Sequence, residues 1–176
     1  MSFGLGLRSA LFVGFLVTLA GCAAPARSST MVVEVSAPAP ATLRESVAVA
    51  NVTTPEMKPP VHSNVEADKL RQAVEVSLER AGYLNASPAA ATVLLAVAPV
   101  SLDNADFGGT VTSRISYTLT SRASGAPLFN DVVVAECTRY AFWSWERLQH
   151  ATECAVRRNI EAFLQKIEVG KTPAAR

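Results

Sequence analysis

The chain has 176 residues, room for one domain and a targeting segment. Its 16 Lys+Arg and 15 Asp+Glu leave a formal net charge of +1 and no cluster of five basic residues. Nucleic-acid binding therefore lacks its electrostatic footprint, and a polybasic membrane patch is absent from the sequence.

Met1 to Gly21 carries one charge, Arg8, then an almost wholly apolar run from Ala10 to Ala20. The run is too short to span a bilayer comfortably and is ended by Gly21-Cys22-Ala23-Ala24-Pro25, so an export signal fits better than a transmembrane anchor. The four residues Leu19-Ala20-Gly21-Cys22 resemble the lipobox of bacterial lipoproteins at every position. The chemistry suits them: the Cys22 thiol can take a diacylglyceryl group through a thioether, and small Ala20 and Gly21 can enter a narrow peptidase site. That resemblance implies removal of residues 1–21 and a membrane partner reached through lipid on Cys22. Each buried methylene contributes about 0.8 kcal/mol, so two or three chains hold firmly. Ala23 stands where an aspartate is associated with inner-membrane retention, which by the same resemblance points to the periplasmic face of the outer membrane.

Residues 22–42 are rich in Ala, Pro and Ser and read as a tether, with Met31 to Val35 as a short edge strand within it. Ser46 to Val52 is a first strand, and Thr53 to His62, with three prolines, a loop. Ser63-Asn64-Val65-Glu66 has the spacing of a capping box. Leu70, Val74 and Leu78 then recur at helical spacing, and Gly82 is placed to end the helix. Ala91 to Leu102 is nearly continuous apolar sequence, as expected of a strand covered on both faces or central in a sheet, with Pro99 marking an edge or a bulge.

Asp103 to Gly109 is a turn; it misses calcium-loop spacing, with Arg114 at the twelfth position where a glutamate is needed. Thr110 to Arg122 alternates, with Val111, Ile115, Tyr117 and Leu119 on one face. Ala123 to Ala126 turns the chain and Leu128 to Thr138 returns as a fourth strand. Arg139 to Trp145 holds four aromatics in seven residues. A helix over about Ser144 to Val169 follows, with Leu148, Ala151, Ala155, Ile160, Phe163, Leu164 and Ile167 on its apolar face. The order β-α-β-β-β-α predicts an α+β two-layer sandwich over residues 43–169: a mixed four-stranded sheet with two helices on one face, then a polar tail at 170–176.

Lipobox, tether and domain together resemble the small accessory lipoproteins of envelope transport and assembly systems. The resemblance implies a non-catalytic module with an envelope protein as partner. Tyr140, Phe142 and Trp143 are the candidate partner contacts, since Trp and Tyr dominate such surfaces; Trp145, in register with Leu148, belongs with the core. The rival reading is a carrier holding a lipid or other apolar ligand between helices and sheet.

Catalytic signals are weak. His150 has Glu146 four residues before it and Glu153 three after, a zinc-like grouping that a solvated helix face also explains; no metal or cofactor is expected. His62 sits in the proline loop, and no Gly-x-Ser-x-Gly, P-loop or dinucleotide motif occurs. Cys137 and Cys154 either form a disulfide in an oxidising compartment or stay buried and unpaired.

Overall fold

The computed structural model describes residues 26–34, 38–53, 65–104, 109–140 and 144–169, with the side chains of residues 144 and 145 left out. The elements are α1 (Ser28–Met31), β1 (Val47–Val52), α2 (Ala67–Arg80), β2 (Val93–Asn104), β3 (Thr110–Ser121), β4 (Pro127–Thr138) and α3 (Ser144–Val169). The sheet runs β1-β2-β3-β4, with β1 parallel to β2 and the remaining pairs antiparallel. This is the mixed four-stranded sheet of the expected α+β sandwich, with α2 as the crossover between its parallel strands.

β3 shows most directly how sequence becomes architecture. Its alternate residues Val111, Ser113, Ile115, Tyr117 and Leu119 are buried under α3, while the Thr, Arg and Ser residues between them face outward. β2 is interior to the sheet, as its apolar run suggests, but Leu94, Ala96 and Ala98 on its outer face are only half-buried. The register slips between Pro99 and Ser101, so the proline marks a bulge.

Both long helices are amphipathic. Leu70, Ala73, Val74 and Leu78 form the inner stripe of α2, and the apolar positions expected on α3 are all buried. Gly82, at φ 76°, closes α2: its N–H bonds the Glu79 carbonyl, and the Tyr83 N–H bonds that of Leu78. This paired pattern needs a left-handed residue, which glycine supplies without steric cost. The start of α2 differs from the expected capping box. Glu66 is itself the N-cap, makes no side-chain cap bond, and so cannot occupy the third helical position; Ser63 lies outside the described residues.

The largest difference is at the N-terminus. The described part of the expected tether is built into the domain, and Met31 begins no strand but ends the short α1. Ala26, Met31 and Val33 are buried, Met31 at 0% exposure, in the same core as Val74, Tyr117 and Phe163. α1 touches both α2 and α3, so residues 26–34 form a strap across the helix layer. The physical cause is the apolar surface that Met31 and Val33 remove from water, which the surrounding Ala/Pro/Ser composition conceals.

Candidate functional site

Two polar anchors hold the strap. At one end the Arg27 backbone N–H donates to Glu153 Oε1 at 2.8 Å, and its guanidinium approaches the same carboxylate at 3.4 and 3.5 Å. Gln149 Nε2 adds a bond at 3.2 Å. Glu153 is 3% exposed. Burial alone would raise its carboxyl, but the Arg27 N–H, the Thr30 side chain and the Arg27 guanidinium outweigh that and hold it below its ordinary range. At the other end the Val33 N–H donates to Ser77 Oγ at 3.1 Å, and that hydroxyl donates on to the Ala73 carbonyl at 2.6 Å. Glu34 then pairs with Arg80.

Cys154, beside Glu153, is bridged to Cys137, with Cα atoms 5.8 Å apart. The bridge staples the end of β4 to α3 and sits in a small cluster with Val111, Leu148, Ala151 and Ala155. Three residues beyond Cys137, Tyr140 is 87% exposed. Gly109, at φ 82°, packs against this same end: a Cβ there would lie 2.5 Å from the Arg139 carbonyl and 2.6 Å from Arg147 Cδ. Arg139 and Arg147 are thus neighbours although eight residues apart in sequence. Phe142 and Trp143 lie outside the described residues, as does Cys22, and the Trp145 side chain is not described.

The zinc-like grouping on α3 does not converge. His150 points to solvent while Glu153 turns inward to Arg27, and among the described residues no three His, Cys, Asp or Glu side chains gather. His62 lies outside the described residues. Asp103, expected to open a calcium-like turn, is instead in β2, where its carboxylate meets Arg114 at 2.6 Å and Ser101 at 2.8 Å.

A buried polar cluster lies beneath β3. Asn159 Nδ2 donates to the carbonyls of Ser113 and Val133 at 3.1 and 2.8 Å, and Ser113 Oγ donates to the Ala155 carbonyl at 3.0 Å. These bonds fix the seating of α3 on the sheet. The signal was present in sequence, for Ser113 falls in phase with the apolar face of β3. Farther along, Tyr117 stacks on Phe163 with centroids 4.1 Å apart, and Phe129 meets Phe163 edge-on at 5.7 Å. The space between α3 and the sheet is therefore filled by side chains at this level.

The outer sheet face is different. Val132 and Val134 of β4 are 44% and 52% exposed, and Val100 at the β2 bulge is 57% exposed. The register places Val134 beside Arg114 and Val132 beside Ser116, so both lie on that outer face, while Val100 falls in the bulge between Pro99 and Ser101.

The same fold is known. The structure of protein XCC0632 from Xanthomonas campestris, classed as DUF330, is similar at a TM-score of 0.52 and 12% identity, covering 77% of this chain and 92% of that one. A PelC dodecamer from Paraburkholderia phytofirmans gives 0.48 at 15% identity, covering 77% and 96%. A candidate lipoprotein from Caulobacter crescentus gives 0.46 at 12%, covering 72% and 91%. The likeness to XCC0632 establishes shared architecture. No family model matches the sequence, nor does any curated relative. Among the described residues no helix is long and apolar enough to cross a membrane.

Proposed function

We propose that this chain is an exported lipoprotein, acylated on Cys22 and held at the periplasmic face of the outer membrane, where it acts as a non-catalytic binding module for another envelope component. The observation that carries the reading is the four-residue lipobox Leu19-Ala20-Gly21-Cys22 standing just ahead of a strap that is part of the fold. A lipid-anchored domain with a fixed, pre-ordered attachment acts by position: the anchor confines it to one surface and the fold presents a contact to a partner there.

The outer face of the terminal strand β4, at Val132 and Val134, supplies an apolar contact. Burial of such side chains against a partner is favourable at about 25 cal/mol per Å². A carrier instead needs room between helices and sheet, where Tyr117, Phe129 and Phe163 are packed together. That packing favours the module.

Metabolic labelling with a fatty acid tests the anchor: the native chain takes label and Cys22→Ser takes none. Purification of the detergent-solubilised, lipidated protein tests the role. Recovery of a specific envelope protein that is lost on Val132→Glu supports the module. Stoichiometric apolar ligand in its place would return the carrier reading.

A further inference from the structure

We propose that the end of the domain formed by Arg139, Tyr140, Arg147 and His150 rests on the headgroup layer of the membrane that holds the Cys22 lipids. The inference rests on lipidation of Cys22 and adds an orientation to it. Only five chain steps separate Cys22 from Arg27, which is locked to Glu153. Fully extended, five steps span at most about 18 Å. At 1.5 Å per residue, Glu153 lies about 14 Å from the start of α3 and about 24 Å from its end. The leash therefore reaches the near end of the domain and falls short of the far one.

What the near end presents fits a lipid surface. Tyr140 follows Cys137 by three residues, and Cys137 is bridged to Cys154, so the Tyr140 Cα lies within about 17 Å of Cys154, the neighbour of the strap's anchor point. Tyrosine is at home at the headgroup boundary, where its ring is apolar and its hydroxyl remains wet. Arg139 and Arg147 flank Gly109 at the same end, and His150 is exposed one turn along α3. Arginine near an anionic leaflet contributes favourably at short range. Toward its far end α3 exposes Glu161 and Glu168 together with Arg157, Arg158 and Lys166, so the length of the leash and the place of Tyr140, rather than net charge, select the near end.

The test uses the full lipidated chain in vesicles of phosphatidylethanolamine and phosphatidylglycerol. One preparation carries p-benzoylphenylalanine in place of Tyr140, another carries it in place of Val132 on the outer sheet face. After irradiation, mass spectrometry reads phospholipid added to each peptide and, in the same sample, the acyl groups on Cys22. The expected result is an adduct at 140 at least roughly tenfold above that at 132, falling severalfold with Arg139→Glu or in vesicles of phosphatidylcholine alone. Equal adducts at both positions, or none at 140 on a chain whose Cys22 is acylated, overturns the orientation and leaves the anchor standing. Cross-linking of 140 in cells to a protein in place of lipid likewise overturns it. An unacylated Cys22 overturns both readings together.

Discussion

Replacing Met31 with alanine separates a docked strap from a free tether. Met31 is fully buried between α2 and α3, in the cluster that includes Val74 and Phe163. Truncation removes three heavy atoms from that core, at about 0.8 kcal/mol each for transfer, and leaves a cavity that the neighbouring helices only partly close. The expected loss is about 3 kcal/mol. For a domain of this size that lowers Tm by roughly 10 °C and the urea midpoint by about 1.5 M with the slope unchanged. The assay is unfolding of the detergent-solubilised protein followed by near-ultraviolet circular dichroism, with Ser29→Ala, an exposed neighbour, as control. A loss below about 0.5 kcal/mol, the size of an ordinary surface substitution, would refute burial of the strap and with it the short leash.

Three further outcomes follow from the geometry. Glu153 is held below its ordinary carboxylate value in the folded chain, so its contribution is complete above that ordinary value and is lost as pH falls through the folded one; Glu153→Gln should therefore cost about 1 kcal/mol at pH 7 and progressively less on acidification, measured by denaturant titration, and a gap constant with pH refutes the pairing. Replacing Cys137 and Cys154 together with serine opens a loop of sequence separation 17 and should cost about 3 kcal/mol in non-reducing conditions; unfolding with and without reductant checks this, since the variant alone should be indifferent to reductant. The Tyr117 hydroxyl is buried with no hydrogen-bond partner among the described residues, and burial pushes its pKa well above the ordinary phenol. Tyr117→Phe should accordingly raise stability by about 1 kcal/mol while keeping the stack on Phe163, and a loss would mean that the hydroxyl has a partner in solution.

The sequence was most legible where a period ran long enough to be counted. Twelve residues of alternation define β3, and the apolar stripe of α3 leaves little choice of face. Gly82 announced its helix end because a left-handed turn has few other occupants. The strap was illegible for the opposite reason. α1 spans four residues, too short for a helical period, and its buried Met31 stands among residues typical of linkers. Glu153 was misplaced for a related cause. It follows exposed His150 by one turn of α3, and its partner Arg27 is 126 residues away, beyond any local rule. Ser113 was passed over because a small polar residue in phase with apolar ones reads as a gap, whereas Asn159 makes it part of a buried network. Within the aromatic run, Tyr140 is at the surface and Trp145 falls in the first turn of α3.

The separation between Arg27 and Glu153 also sets an order of events. The strap's partner lies in the last helix of the chain, and Cys154 stands in the same helix. Closing so long a loop is entropically slow compared with forming hairpins and helices. Until α3 has formed, the segment around Arg27 lacks its Glu153 anchor. The strap therefore docks late, once the last helix is in place.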